Sequence, residues 1–304
     1  MRRKGSSRAN LTESRLITPA LLRSWQLPSL DEEGGKEARG RVLVVGGSEQ
    51  IPGAVLLAGL GALRAGAGKL QIATAANVAI AVAVAIPEAR VIALKQLASG
   101  ELAPGSGSAI SDELSRCSAL LLGPGMMDPR AAVAMFEHCV KNACASCIVL
   151  DAGALQALGP NKPSRAHAGG VVITPHAGEM AQLRGLDKQQ IVREPLRVAR
   201  LAAAELGVVV ALKGALTYVA APDGTAFHNT AGNIGLGTSG SGDTLSGIIA
   251  GLCARGADPL QAAVWGVYLH AKAGDALAAR MGALGFLARE LLAEIPRLLA
   301  KLTR

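Results

Sequence analysis

The segment GNIGLGTSGSGDTLSG, Gly232–Gly247, sets six glycines around one acid, Asp243, where an apolar-periodic helix begins. Glycines let backbone amides face a ligand without side-chain obstruction, and a helix N-terminus adds positive partial charge. Such a loop can cradle a phosphate on Gly240, Ser241 and Gly242. Asp243, kept ionised by the same dipole, can then accept a proton or hydrogen bond from a substrate hydroxyl. Amides beside a carboxylate suit phosphoryl transfer to or from an alcohol. Asp243 also reads as a capping or first-turn acid, and the two readings are compatible. The segment is not a Walker loop, because GxxxxGK[ST] is absent, and no GxGxxG follows the first strand.

Five further segments have the composition of ligand loops: GGSEQIPGA (Gly46–Ala54), GPGMMD (Gly123–Asp128), DAGAL (Asp151–Leu155), TPHAGE (Thr174–Glu179) and KGALT (Lys213–Thr217). Each alone is ordinary turn chemistry. Together they are notable because each follows a short apolar run, and open parallel sheets bind ligands beyond the carboxyl ends of their strands. His176 can act as a ligand or as a cap. Lys213 ends an apolar strand and can reach a phosphate over the sheet edge. His270, among Ala and Leu, reads as packed, and Asn229 and Asn233 as turn-shaping residues.

The elements that must position these loops alternate. Strands are expected at Val42–Val45, Lys69–Ala73, Val91–Leu94, Ala119–Leu122, Ile148–Leu150, Val171–Thr174 and Val208–Leu212, mostly without polar alternation, as in strands covered on both faces. Helices are expected near Gly53–Ala65, Ala131–Cys144 and Pro195–Leu206, and a buried helix at Val78–Ile86. A hairpin-like excursion follows at Leu216–Ala220 and Ala226–His228 around the PDGT turn. Ser241–Ala254, Pro259–Ala279 and Phe286–Leu302 have helical length and periodicity. The expected fold is a three-layer α/β/α domain with a mostly parallel sheet over residues 35–304, preceded by a flexible basic extension, 1–34.

Residues 1–30 account for much of the net charge of +8: they hold Arg2, Arg3, Lys4, Arg8, Arg15 and Arg23 against Glu13 alone. The rest is near neutral, and three Phe, two Tyr and two Trp leave little to stack on bases, which argues against nucleic-acid binding. No apolar run is long enough to span a bilayer, and no secretory h-region follows the basic N-terminus. Five cysteines, an odd number in apolar segments, fit reduced thiols in a cytoplasmic protein; the Cys144/Cys147 pair lacks partners for zinc and reads as buried small hydrophobes.

The late GxGD segment resembles the ribokinase-like superfamily. GRVLVVGGSEQIPGAVLLAGLGALRAGAGKLQIAT, LLLGPG, VVITPHAGEM, LKGALT, GNIGLGTSGSGDTLSGIIAGL and GVYLHAKAGDALA (Gly266–Ala278), in this order over residues 35–300, resemble the NAD(P)H-hydrate dehydratase family. The resemblance implies a ribokinase-like fold and ADP-dependent dehydration of the S form of NAD(P)H hydrate to NAD(P)H, releasing AMP and phosphate. It implies that Asp243 engages the hydrate's hydroxyl and that Ala54, Gly125 and His176 line the hydrate site. ADP is expected on Lys213, Gly214, Ala215, Leu216, Thr217, Gly240, Ser241 and Gly242. Mg²⁺ would accompany the nucleotide without direct protein ligands, through water near Asp151 and Glu179. A separate epimerase in the same pathway and a homotetramer are also implied. Two departures stand out: DAGAL replaces the usual DADAL, so Gly153 takes a carboxylate's place, and GSGD with Ser241 replaces the frequent GTGD. The alternatives are a ribokinase-like small-molecule kinase and, given Gly153, a nucleotide-binding protein without turnover.

Overall fold

The computed structural model describes residues 13–29, 34–145, 147–159 and 170–303. In chain order its elements are β1 (Arg15–Leu16), α1 (Pro19–Ser24), α2 (Gly35–Ala38), β2 (Arg41–Val45), α3 (Gly53–Arg64), β3 (Lys69–Ala75), α4 (Ala79–Ala85), β4 (Ala89–Leu94), α5 (Ser111–Leu114), β5 (Ala119–Leu122) and α6 (Pro129–Asn142). There follow β6 (Cys147–Leu150), β7 (Val171–Ile173), α7 (Ala177–Arg184), α8 (Lys188–Arg193), α9 (Pro195–Leu206), β8 (Val209–Leu212), β9 (Thr217–Ala220), β10 (Ala226–Asn229), α10 (Ser241–Ala254), α11 (Pro259–Met281) and α12 (Ala288–Leu302).

The strands form one sheet in the order β1-β10-β9-β8-β7-β6-β5-β2-β3-β4. From β8 to β4 all neighbours are parallel, while β9 turns back on β8 and β10 on β9, giving the expected hairpin. Alternate side chains of the parallel strands enter two cores. Val42, Val44, Leu121 and Val149 face α3, α10, α11 and α12; Leu43, Val45, Leu120, Leu122 and Ile148 face α6, α7 and α9. Both faces are therefore dry, which is why these strands read as unbroken apolar runs. The result is the three-layer α/β/α architecture expected of a ribokinase-like chain.

Small residues set how closely the site-bearing helices approach. A Cβ on Gly247 would lie 2.1 Å from the Ala58 carbonyl oxygen, and one on Gly251 2.4 Å from that of Ala62. α10 and α3 thus pack backbone to backbone, which places the start of α10 beside the start of α3.

Three expectations need correction. Residues 13–29 are docked rather than loose: β1 pairs in parallel with β10, Leu22 is fully buried, and Trp25 stacks on Phe227 at 5.7 Å. The backbone oxygen of Trp25 also accepts from Trp265 Nε1 and Gln261 Nε2. Ile17, Leu22 and Leu27 carry enough apolar surface to hold this segment down; residues 1–12 lie outside the described residues. α4 is not a buried helix, because only Ala79 and Val82 point inward while Ile80 and Val84 are 80% and 77% exposed. Cys144 is exposed, whereas Cys117, Cys139, Cys147 and Cys253 are buried, and all five are free. Burial pushes the Cys117 and Cys139 thiols up to about 12, far from nucleophilic use. Among the described residues no helix is long and apolar enough to cross a membrane, and no cluster of three His, Cys, Asp or Glu could hold a metal.

Candidate active site

The chain runs β2, β3, β4 in one direction and returns to place β5 on the other side of β2. The loops after β2 and β5 therefore diverge at a topological switch point, where parallel sheets open a crevice. Here the crevice is lined by backbone. Gly47 N–H donates to Pro124 O at 2.8 Å and Ser48 N–H to Gly125 O at 3.0 Å. Gly125 has φ +69°, and a Cβ there would lie 2.5 Å from Ile51 O and 3.1 Å from the Ala54 methyl. Ala54 and Gly125, expected together, are adjacent, and the notch they form admits no larger side chain.

The next loop along the sheet edge carries charge. Asp151, 2% exposed at the end of β6, accepts from Thr174 Oγ1 at 2.8 Å and from Lys213 Nζ at 3.3 Å, both on Oδ1. Lys213 also lies 3.8 Å from Glu179 Oε2. Burial works against the lysine's charge, but Asp151, Glu179 and Asp243 outweigh it and its pKa is raised. Lys213 stays cationic at neutral pH. Gly242, in the first turn of α10, sits over this pair: a Cβ there would be 3.2 Å from Lys213 Nζ and 3.8 Å from Asp151 Oδ2.

Asp243 follows Gly242 as the third residue of α10, whose cap, Gly240, has φ +84°. No side chain caps this helix. The expectation that the helix dipole keeps Asp243 ionised fails: its pKa is raised to about 7, by burial first and then by the negative charge of Asp151, with Lys213 opposing. Partial desolvation and two neighbouring carboxylates outweigh the dipole. Asp243 is thus tuned to hold or release a proton near neutrality, which suits a general base better than a permanently charged acid.

Of the two readings of His176, the structure shows the cap. Its Nδ1 accepts from Gly178 N–H and Glu179 N–H at 3.0 and 3.1 Å while Glu179 Oε2 accepts from His176 N–H, closing a capping box on α7. With Nδ1 an acceptor, the neutral ring carries its proton on Nε2, on an exposed side chain beside Lys213.

A cavity of about 660 Å³ opens beside this centre. Lys213, Gly214, Ala215 and Thr217 line one side, Ser241 and Gly242 the floor, and the Asn229–Thr238 stretch the opposite wall. Of the residues expected around ADP, Leu216 is outside this lining and 42% exposed, and Gly240 packs beneath it against Leu57 and Ala288. Ser241 is committed elsewhere: its Oγ is 2.9 Å from Nε2 of the buried His270, whose pKa falls to about 4 through burial and Lys213. His270 is packed, as expected, but against Ser241 of the Gly-rich segment. Asn229 and Asn233 shape turns, through Ala231 O and Gly235 N–H respectively, and both also line the cavity. The far wall was missed in the sequence; the HAKAGD run on α11 behind it was the available signal.

Gly153 has a steric reason. A Cβ there would lie 2.3 Å from Met126 O, so the turn after Asp151 fits under the GPGMMD loop only without a side chain. The same turn contains Ala152 at φ +47°, the one positive-φ residue other than glycine among those described.

Residues 42–297 match the NAD(P)H-hydrate dehydratase family. The chain is 49% identical over 291 residues to the ADP-dependent (S)-NAD(P)H-hydrate dehydratase of Xanthomonas campestris, covering 95% of this chain and 98% of that one. It is 38% identical to the bifunctional NAD(P)H-hydrate repair enzyme Nnr of Moorella thermoacetica, covering 95% of this chain and 54% of that longer protein. The structure superposes with TM-score 0.82 and 32% identity on the Bacillus subtilis ADP/ATP-dependent NAD(P)H-hydrate dehydratase co-crystallised with ATP and Mg²⁺, covering 96% and 99% of the two chains.

Proposed function

The chain belongs to the NAD(P)H-hydrate dehydratase family, and from this premise we infer that it is a hydro-lyase that returns the S form of NAD(P)H hydrate to NAD(P)H at the expense of ADP. The observation that supports this reading best is the placement of Asp243: a carboxylate in the first turn of an uncapped helix, next to Gly242 of the cavity floor and tuned to about 7 with Lys213 nearby, on a helix packed against the helix that carries Ala54.

We assign ADP to the cavity, with its phosphates on the amides of Ser241 and Gly242 and on Lys213, and the hydrated ring to the side of Ala54, Gly125 and His176. Asp243 then takes the proton of the ring hydroxyl as its oxygen attacks the β-phosphorus, and AMP leaves. The ring nitrogen's lone pair expels the resulting phosphate ester as inorganic phosphate, and loss of a proton from the adjacent ring carbon restores the double bond. Lys213 balances negative charge on the transferring group, and the exposed His176 side chain orients the substrate through its Nε2–H, with Glu179 Oε2 3.7 Å away. Asp151 Oδ1 is used by Thr174 and Lys213, whereas Oδ2 faces Gly242, so Asp151 with Glu179 nearby fits an Mg²⁺ held on the phosphates through water; among the described residues no cluster of three His, Cys, Asp or Glu forms a protein cage. Bound there, the cation would neutralise phosphate charge.

Incubating the purified protein with the hydrate, ADP and Mg²⁺ should regenerate the near-ultraviolet absorbance of NADH. A stable phosphate ester from ATP and an unrelated alcohol, without that absorbance, would favour a small-molecule kinase; ADP binding with no hydrate consumed would favour a non-catalytic protein. The free cysteines support a cytoplasmic setting, and the outward Ile80 and Val84 support a homo-oligomer such as the tetramer. Supply of the S form is assigned to an epimerase acting before this step.

A further inference from the structure

The HAKAGD stretch of α11 takes no part in the steps above, yet it braces the cavity's far wall. Asp275 Oδ1 accepts from Gly232 N–H at 3.1 Å and from Asn233 Nδ2 at 3.4 Å, and Oδ2 accepts from Lys272 Nζ at 2.9 Å. Burial opposes its charge, but Lys272, the Gly232 amide and Asn233 outweigh that and hold its carboxyl below the usual range. One turn of α11 therefore anchors the wall by a charge-assisted bond to backbone, the stronger kind.

The same wall is also held sterically. Leu236, which lines the cavity, lies over Gly274: a Cβ there would come within 2.7 Å of its Cδ2 and Cγ. A Cβ on Gly232 would likewise meet Leu236 Cδ1 at 3.0 Å and the Ala271 methyl at 3.4 Å. Hydrogen bonding at Asp275 and close packing at Gly274 converge on one five-residue stretch, Gly232–Leu236.

We propose that Asp275 is a positioning residue for the nucleotide: it fixes the Gly232–Asn233 wall against α11 so that the cavity is preformed for ADP, with Gly274 admitting Leu236 to the same wall. This rests on the assignment of ADP to the cavity. A preformed wall spares the ligand the cost of ordering it, so its loss appears in nucleotide affinity rather than in the chemical step.

The test is calorimetric titration of the full chain with ADP and Mg²⁺, alongside steady-state dehydration of the hydrate. Asp275→Ala should raise the Kd and KM for ADP about tenfold, leaving kcat and the hydrate KM within about twofold. Asp275→Asn keeps an acceptor for Gly232 and should recover most of the affinity. Gly274→Ala, which displaces Leu236 without touching a polar group, should weaken ADP about threefold or more. The proposal is overturned if Asp275→Ala binds ADP as the wild type does, or if kcat and both KM values change together. Should Asp275→Ala not fold, Gly274→Ala decides: wild-type affinity for ADP overturns the proposal. Wild-type protein that binds ADP but leaves the hydrate unchanged would refute the dehydratase reading and leave these binding comparisons in force.

Discussion

The two sides of the site are built by different means. Toward β7 and β8, side chains do the work: Asp151 and Glu179 lie within 3.8 Å of Lys213, and their charges help to raise the pKa of both Lys213 and Asp243. Toward β2 and β5, backbone does it: Gly47, Ser48, Pro124 and Gly125 interlock through amides, and Ala54 is the largest group the notch allows. The charged side can lose a functional group while keeping its shape, whereas the glycine side can lose its shape without losing any functional group. Substitutions on the two sides should therefore fail in different ways: in kcat on one, in hydrate binding and stability on the other.

Asp243→Asn should show the largest effect. It preserves size and removes the base, so kcat should fall by about a thousandfold, while ADP affinity measured by calorimetry stays within about twofold. The same change should stabilise the fold at alkaline pH. A carboxyl raised from 3.8 to about 7 contributes stability that is present below about 3.8 and lost as pH rises through about 7. Removing the charge recovers on the order of 1–3 kcal/mol at pH 8. An equal loss of ADP affinity would make Asp243 part of the nucleotide site instead of the base beside it.

On the glycine side, Gly153→Asp tests whether a carboxylate in the DAGAL turn adds anything here. The position it would occupy is filled by Met126 O at 2.3 Å, so the GPGMMD loop must shift. Expected are a loss of about 2 kcal/mol of stability and a raised hydrate KM, with the Kd for ADP unchanged. A gain in activity without loss of stability would mean that the turn is more plastic than its packing indicates.

How much of this was legible in the sequence follows the same division. Apolar runs ending in Gly, Asp or Lys marked the strands and their loops, because strands dry on both faces leave no polar alternation and the chain must turn at the sheet edge. The pairing of Ala54 with Gly125 followed from the family resemblance, not from local signals. The ionisation of Asp243 was misread because a dipole is a local property, while burial and the charge of Asp151 come from residues distant in sequence. α4 was misread because nine apolar residues, Val78–Ile86, cannot reveal that Ile80 and Val84 face outward. The docking of residues 13–29 was hidden by the basic run just before them, Arg2, Arg3, Lys4 and Arg8, although Ile17, Leu22, Trp25 and Leu27 supply the contacts. The role of Asp275 was invisible without the fold, since its partners on the wall, Gly232 and Asn233, lie more than 40 residues away.

A smaller effect follows within the charged side. The acid limb of kcat/KM should fall near pH 7, with activity rising as Asp243 loses its proton. Asp151→Asn removes one of the charges that raises Asp243 and frees Lys213 from its nearest anion, and both changes favour the ionised aspartate. The limb should move to lower pH even as kcat falls. A limb that stays in place would assign it to another group.

The smallest expected effect separates the two roles of His176, which stands where the sides meet. Asparagine can cap α7 through its side-chain oxygen but lacks the Nε2–H, while alanine does neither. His176→Ala should cost about 1 kcal/mol of stability and raise the hydrate KM; His176→Asn should restore the stability alone. A hydrate KM that recovers with asparagine would show that His176 serves the notch only by holding the start of α7, since the two variants differ in the cap and not in the lost ring proton.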